Sequence, residues 1–423
     1  MIDDVLYKRL ESEYDQVITD TLNKLKRTQP LTKQQFYKIL FEANKLYWLT
    51  RLATIDEYTV LTAEKVGAAL TVPYINAANE YVKQFRSIYG NYQSAFNLSQ
   101  TEADRLLKNV KYDRTIMQNL RSVADSLPDS EQKTQILATI SAPAYRYRLE
   151  RAQVMMNELN ETCKSLASAE TVTERAVLQT EVEKAYNITI DGLSQKLPSD
   201  AILDSITKEA VKDNPQIAKS LQDFTVTTDK GITDSFHAIN ERAVKQIVNR
   251  NWSGESFSDR IWAHTDYLAK TVKDVMLKGE LSGQSVNDMA AQIKNRFDVA
   301  AYQARRLIRT EINYVQNQAT LDEFKDAGVD RYEYAAFIDD RTSEICHDLN
   351  GHIFYVKSAK VGVNYPPMHP NCRSGVYPVV KTEKELRDRA DAIIDKWDIP
   401  ADMSFEDWID KEVERILEER KNQ

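Results

Sequence analysis

The sequence contains little glycine, proline, cysteine or histidine, and these shortages limit what it can be. Its 423 residues include 11 glycines, 11 prolines, three cysteines and five histidines. Glycine occurs at less than half of the roughly 7% that is average for proteins, and so few turn-forming residues predict long helices. Three cysteines make a small, odd-numbered set, which is typical of a reducing compartment. A chain of this length can bury a large core and is expected to form two or three domains.

Signals for membranes and for secretion are also lacking. No run of about 18 apolar residues is present, so we expect no transmembrane helix and no membrane partner. The N-terminus from Met1 to Asp4 is acidic and has no apolar stretch behind it, which argues against a secretory signal. The net charge of −8 argues against a general coat for nucleic acid.

Helical periodicity dominates the first half of the chain. Apolar residues recur every three or four positions through residues 6–26, and Pro30 ends this stripe. Thr32 and Gln35 have the spacing of a capping box at the start of the next helix. Similar stripes continue to about residue 187, with breaks expected near Pro73, Gly90, Pro128 and Pro143. We therefore predict a bundle of long, mostly antiparallel helical hairpins.

The regularity falls between residues 188 and 233, where Thr225–Thr228 could form a short strand and where we place a domain boundary near residue 225. Helical signals then return. Ser285 has the pattern of a helix start, and a second helix is predicted from about residue 299 to Gly328. Its predicted buried face consists of Ala304, Leu307, Ile308, Ile312, Val315 and Ala319. Arg309, Asn313 and Asn317 form another face, which either is solvated or hydrogen-bonds the segment that follows.

Beyond residue 330 the periodicity changes to that of a small α+β module. Strands are predicted at 332–338, 352–356 and 374–380, with a short helix that ends at Asn350 and Gly351. The tail, residues 381–423, is acidic and is predicted to pack two short helices, separated at Pro400, onto the body. Its expected core residues are Leu386, Ile393, Trp397, Trp408, Val413 and Ile416. The predicted fold is mainly α with a small α+β module, divided into a long helical N-terminal region (1–225), a central region (226–380) and a helical tail (381–423).

Residues capable of local chemistry are concentrated between Cys346 and Cys372. Three of the five histidines and two of the three cysteines lie in this segment. His369 and Cys372 are separated by two residues, which is the spacing of half a zinc site. Cys346 could be a third ligand, and the fourth would come from His347, Asp348, His352 or Asp339.

Several interpretations of this segment remain open. The cysteines could form a Cys346–Cys372 disulfide in an oxidising environment, or Cys346 could pack as a small apolar residue while His369 caps a loop. A cysteine enzyme would require a histidine base, which His369 could supply, but no known nucleophile signature is present. Asp339, Arg341 and Arg373 are predicted to form a buried ion network, and Pro366 with Pro367 fixes an extended approach to His369.

Support for binding of nucleic acid is limited to one stretch. Residues 241–310 contain twelve Lys and Arg against eight Asp and Glu. This excess could face phosphates, although dispersed charges on helices are usually a solvated face. Neither glycine-rich phosphate-loop pattern occurs, and no DNA-binding residue is assigned.

Five blocks of sequence carry a resemblance to a known family. They are Trp252–Trp262, Arg309–Glu311, Asp340–Cys346, Leu349–Gly351 and Pro366–Arg373. In this order and spacing they resemble the Mu F-like minor head protein family of tailed phages, also called the phage head morphogenesis family. The resemblance covers about a third of the chain, residues 252–380, and its most specific positions are Asp340, Arg341, Thr342, Gly351, Pro367 and Arg373.

The resemblance implies a structural protein of the phage head that is not an enzyme. Its partners would be the portal protein, the scaffold or major capsid protein, and phage DNA. It would be assembled in the host cytoplasm and reside inside the virion head near the portal, where it would assist DNA packaging or ejection. Residues 1–225 would form the body that binds portal or capsid. Some family modules are fused to a toxin, but only about 43 residues follow Val380.

Two alternatives belong to different functional classes. One is a metal-dependent enzyme acting on nucleic acid, with His369 and Asp348 as its chemical groups. The other is a DNA-binding protein injected with the genome, which would use the basic stretch at 241–310. No cofactor is certain, and structural zinc at Cys346, His369 and Cys372 is the candidate.

Overall fold

The computed structural model describes residues 4–28, 30–108, 110–213, 239–380, 382–394 and 402–422. Within these residues the chain is mainly helical with one small antiparallel sheet, which confirms the predicted fold class. Among them, every helix is either too short or too polar to span a lipid bilayer.

The helices before the sheet account for most of the chain. Helices α1 to α7 are Asp4–Arg27, Lys33–Tyr89, Gln100–Leu107, Ile116–Ser126, Glu131–Ser141, Pro143–Ser194 and Pro198–Asp213. Helices α8 to α10 are Glu241–Val248, Phe257–Ser282 and Val286–Asp326. The remaining elements are β1 (Arg331–Ala335), α11 (Glu344–Leu349), β2 (Ile353–Tyr355), a 3₁₀ turn (Val356–Ser358), β3 (Gly375–Pro378), α12 (Glu383–Ile394) and α13 (Phe405–Lys421).

Local sequence signals explain several helix ends. The Thr32 backbone N–H donates to Gln35 Oε1 (2.9 Å) and the Gln35 N–H donates to Thr32 Oγ1 (3.2 Å), so the predicted capping box is present. Helix ends next to Gly90, Pro128 and Pro143 also agree with the predicted breaks.

Two predicted interruptions are wrong. Helix α2 runs through Pro73, because the neighbouring Leu70 and Tyr74 are buried and their packing outweighs the roughly 3 kcal/mol that an internal proline costs. The two helices predicted after Ser285 are one continuous helix, α10. Phe297 and Ala300 are buried near the predicted junction, so the apolar stripe has no gap there.

The chain divides into two compact units. Unit 1 consists of Met1–Thr62, Leu178–Val248 and Thr310–Gln423, and unit 2 consists of Ala63–Val177 and Asn249–Arg309. Unit 1 therefore contains residues of all three regions predicted from the sequence. The predicted boundaries after residues 225 and 380, and the strand expected at Thr225–Thr228, lie outside the described residues, so the assignment of those regions stays a prediction.

Unit 2 has a large apolar core that includes Phe85, Leu120, Leu159, Met276 and Ile293. A buried carboxylate lies beside this core. The Tyr145 hydroxyl donates to Glu280 Oε2 at 2.6 Å, and burial raises the pKa of Glu280 because a charged carboxylate loses its hydration there.

Unit 1 has two main apolar clusters. The first joins α1, the start of α2, α7 and the tail helices, and it includes the tail residues Leu386, Trp408, Val413 and Ile416. The tail therefore packs onto helical residues near the N-terminus, as predicted, while Ile393 and Trp397 lie outside the described side chains. The second cluster joins residues of α2, α6 and α10 to the sheet.

The sheet has the strand order β2-β1-β3, and both pairings are antiparallel. Strands β2 and β3 lie within the ranges predicted from the sequence, and β1 begins one residue earlier than predicted, at Arg331. Tyr332 and Tyr334 of the central strand β1 are fully buried. β1 pairs with a strand along each of its edges, and its Tyr334 contacts Cys346 of the segment between Cys346 and Cys372.

Candidate functional site

Helix α11 places Cys346 in the interior of the module. Ser343 precedes this helix, and its Oγ accepts a hydrogen bond of 3.4 Å from the Cys346 backbone N–H, so Ser343 is an N-cap. The Cys346 side chain is buried, and the Tyr334 hydroxyl of β1 donates to its Sγ at 3.4 Å. Sequence reasoning missed both Ser343 and Tyr334, although a serine three residues before Cys346 is a recognisable cap signal.

The other two members of the cluster lie in a turn. Pro366 and Pro367 are buried and are joined by a cis peptide bond. After them, the Cys372 backbone N–H donates to the His369 carbonyl at 3.1 Å. This turn brings the His369 and Cys372 side chains to the same side, as their spacing predicts.

The three side chains meet at one point. Cys346 Sγ lies 3.3 Å from His369 Nε2 and 3.9 Å from Cys372 Sγ, and all three donor atoms lie within 4.8 Å of one another. Both cysteines are free thiols. A disulfide requires sulfur atoms about 2.05 Å apart, so these atoms are in contact but are not bonded.

The two thiols titrate as a pair. The Cys372 thiol hydrogen-bonds to Cys346, which lowers the pKa of Cys346, and the same interaction raises the pKa of Cys372. The pair therefore loses a first proton readily and holds the second strongly. A thiolate is the form of cysteine that binds metals.

The predicted fourth ligands do not join the cluster. His347 and Asp348 are mostly exposed and lie 3.9 Å from each other. His352 is exposed and stacks beside Phe354, and Asp339 is paired with arginine. Among the described residues, only Cys346, His369 and Cys372 form a group of three metal-ligand side chains.

The predicted ion network exists, but it is not buried. Asp339 accepts from Arg373 at 2.5 Å and from the Arg341 backbone N–H at 2.9 Å. The side chains of Asp339, Arg373 and Arg341 are 32%, 26% and 75% exposed, because the loop before α11 runs along the surface. The hydrogen bond from Arg373 holds the pKa of Asp339 well below its usual range.

The other motif positions shape the same loop. The Thr342 hydroxyl donates to the Phe337 carbonyl, and Asp340 is exposed. Gly351 has a φ of +80°, a conformation that favours glycine, and its N–H donates to the Tyr334 carbonyl at 2.8 Å. These bonds hold the loop and the end of α11 against β1.

Side chains of helix α10 hold the Cys372 turn through hydrogen bonds. The Asn313 side chain donates to the Ser374 carbonyl at 3.1 Å, and Asn317 donates to the same carbonyl at 3.3 Å. Thr310 Oγ1 accepts from the Asn371 N–H at 3.0 Å. Two of the three polar residues predicted on this face therefore bond the segment, whereas Arg309 pairs with Glu64.

A cavity of about 80 Å³ lies near this anchor within unit 1. Its lining includes Arg51, Asp56, Asn313 and Arg373. Arg51 Nη1 and Asn313 Oδ1 are buried and have no hydrogen-bond partner among the residues that the structure describes, and a cavity of this size has room for a few water molecules. Burial raises the pKa of Asp56 to about 6, although the positive charge of Arg373 opposes the rise.

Part of the positive charge at 241–310 is paired within the protein. Arg305 and Arg309 bind Glu64, and Lys278 lies 2.5 Å from Asp104. Neutralised side chains contribute less to the attraction of phosphates.

Comparisons with known proteins identify similarities to part of the chain. Residues 270–377 match the family model described as Phage Mu protein F like protein. The NAD(+)--arginine ADP-ribosyltransferase EFV of Enterococcus faecalis is 27% identical over 132 residues, which are 30% of this chain and 27% of that protein. An uncharacterized protein of Haemophilus influenzae is 24% identical over 123 residues, 29% of this chain and 27% of that protein. The chain thus spans about a quarter of the length of these relatives, and no solved structure matches it.

Proposed function

We propose, from the Mu F-like domain that this chain carries at residues 270–377, that the protein is a minor structural component of a tailed-phage head and acts in head morphogenesis. The match is the single observation that carries the proposal. It begins within α9 and reaches Tyr377 in β3, so it includes helix α10 and the Cys/His cluster.

The proposed mechanism is binding rather than catalysis. Cys346 and Cys372 are each only 3% exposed, so a substrate could not reach either sulfur without local opening. The polar groups around them, Tyr334 and Ser343, hydrogen-bond the cluster itself. The burial and these hydrogen bonds support a structural role, in which the cluster holds α11 and the turn together.

The proposed partners and location follow from the same domain. The helical residues or the module would bind the portal protein or the inner capsid shell, with scaffold and major capsid protein as further partners. The protein would then reside in the virion, inside the head and near the portal, after assembly in the host cytoplasm. A role in DNA packaging or ejection is a part of this proposal that depends on the portal contact.

Two functional alternatives have less support. A metal-dependent nuclease would use His369 with Asp348, but Asp348 is 74% exposed and lies beside His347. A DNA-binding injected protein would use the basic stretch at 241–310, where Arg305, Arg309 and Lys278 are already paired with carboxylates. Nuclease activity that His369→Ala abolishes while leaving the fold intact would favour the first, and steeply salt-dependent DNA binding would favour the second.

The test of the proposal combines folding with assembly. His369→Ala and Cys372→Ser should lower the melting temperature and reduce the amount of protein that co-purifies with the cognate portal and enters heads, because both remove a member of the cluster. His352→Ala is the matched control, since that side chain is exposed in the same module. Unchanged melting and normal incorporation of the cluster variants would refute the structural role of the cluster.

A further inference from the structure

Three buried or half-buried donors converge where the module's short helix meets the turn before β3. We propose that Cys346, His369 and Cys372 bind one zinc ion, with Ser343 Oγ or a water molecule beside it completing the coordination. This proposal does not depend on the role in the phage head, because it concerns the chemistry of the isolated chain.

The spacing of the donors fits tetrahedral zinc. With zinc–sulfur bonds of about 2.3 Å and zinc–nitrogen bonds of about 2.0 Å, two tetrahedral sulfur ligands lie about 3.8 Å apart, and sulfur and nitrogen lie about 3.6 Å apart. The observed separations are 3.9 Å for the two sulfur atoms and 3.3 Å for Cys346 Sγ and His369 Nε2. Each of these two pairs would therefore need to shift by only a few tenths of an ångström, and the donor atoms of His369 and Cys372 lie within 4.8 Å of each other.

The hydrogen bonds of His369 select the tautomer that can bind a metal. His369 Nδ1 lies 2.9 Å from the Pro370 carbonyl oxygen. A carbonyl can only accept, so Nδ1 carries the proton, and in the neutral ring Nε2 has a free electron pair. The nitrogen with this electron pair, Nε2, is the one that lies beside Cys346 Sγ. A backbone carbonyl that fixes the outer nitrogen in this way is a common feature of metal-binding histidines.

The groups around the cluster can stabilise a thiolate and include a hydroxyl oxygen. The Tyr334 hydroxyl donates to Cys346 Sγ at 3.4 Å, so it would stabilise negative charge on that sulfur. Ser343 Oγ lies 2.8 Å from His369 Nε2 and provides an oxygen atom beside the cluster. Thiolate and imidazole donors favour zinc over magnesium or calcium, which prefer oxygen ligands.

The site would join parts of the module that are distant in sequence. Cys346 belongs to α11, whereas His369 and Cys372 lie in the turn that Thr310 and Asn313 hold against helix α10. A zinc ion would therefore attach α11 to the same base as the turn. The metal would add to the thiol contact, the hydrogen bonds and the Asp339–Arg373 ion pair that already join these parts.

The experiment measures metal content of the full-length protein, produced without a histidine tag and purified without chelators. Elemental mass spectrometry should find about one zinc ion per chain in the wild type after dialysis. Cys346→Ser, His369→Ala and Cys372→Ser should each lose most of it. Cys163→Ala and His347→Ala are matched controls that should retain it, because Cys163 lies in unit 2 and His347 is exposed.

A second measurement uses only the wild type, so its result does not depend on whether the variants fold. Cobalt(II) added to metal-free wild type should produce thiolate-to-cobalt charge transfer and the visible bands of four-coordinate cobalt, and zinc should displace them. Zinc-free wild type that gives no such cobalt spectrum would overturn the proposal. Equal zinc content in the wild type and in all three ligand variants would also overturn it.

Discussion

Tyr365 provides the sharpest prediction about how the module is held on helix α10. Its side chain is fully buried, its hydroxyl donates to the Asn317 carbonyl at 2.7 Å, and its ring lies edge-on to Tyr332 with centroids 5.1 Å apart. Tyr365→Phe removes only the hydrogen bond, whereas Tyr365→Ala also removes the ring from the core. The two substitutions therefore separate the two contributions to stability.

The expected losses follow from these contacts. One buried hydrogen bond contributes about 1 kcal/mol, so Tyr365→Phe should lower the melting temperature by about 2–4 °C for a unit of this size. Truncating a buried aromatic ring costs about 3–5 kcal/mol, so Tyr365→Ala should lower it by roughly 10 °C. Tyr355→Ala is the matched control, because that side chain is 56% exposed and its loss should change stability by less than about 0.5 kcal/mol.

Thermal unfolding followed by circular dichroism measures the loss, and amide hydrogen exchange locates it. In Tyr365→Ala, exchange should accelerate in peptides that cover residues 331–378, and it should do so more than in peptides from unit 2. If Tyr365→Ala melts within about 1 °C of the wild type and residues 331–378 keep their protection, the inferred anchoring of the module on α10 is wrong.

Three further predictions concern charge and backbone conformation in unit 1. Burial raises the pKa of Asp56 from 3.8 to about 6, so the folded state favours the acid form and loses stability as the pH rises through about 6. Asp56→Asn should therefore be more stable than the wild type by about 3 kcal/mol at neutral pH, and urea unfolding should show the gap closing below about pH 4. Arg373 holds the pKa of Asp339 below 3.8, so Asp339→Asn should be less stable at neutral pH, and this difference should instead shrink as the pH falls below about 4. Gly351→Ala should cost about 1–2 kcal/mol in thermal melts because of its positive φ, and Gly351→Asn should cost less; equal melting of wild type and Gly351→Ala would contradict the assigned backbone conformation.

Local patterns made much of the fold predictable. The strand-like composition from Tyr332 to Ile338 predicted the strand β1, and the Thr32–Gln35 spacing predicted a capping box that the structure contains. These features depend on residues a few positions apart, which a sequence displays directly. The predicted helix break at Pro73 was wrong, because the free-energy cost of a proline inside a helix is outweighed by packing that involves residues far away in sequence.

The candidate site was predictable in its members but not in its surroundings. The His369–Cys372 spacing and the nearby Cys346 were sufficient to select the three side chains that meet. The contacts of Asn313 with Ser374 and of Thr310 with Asn371 join residues about 60 positions apart, and periodicity shows only that such polar residues share a face. The exposure of Asp339 also depends on the path of its loop, which the sequence does not show.

The proposed role in the phage head is tested most directly by the composition of purified heads. Quantitative mass spectrometry would measure this protein together with the portal and major capsid proteins in heads purified from the encoding phage. We expect the protein to be present at a reproducible low copy number relative to the major capsid protein and to remain after stringent washing. Its absence from purified heads, while it is abundant in the lysate of the same infected cells, would refute the proposed role.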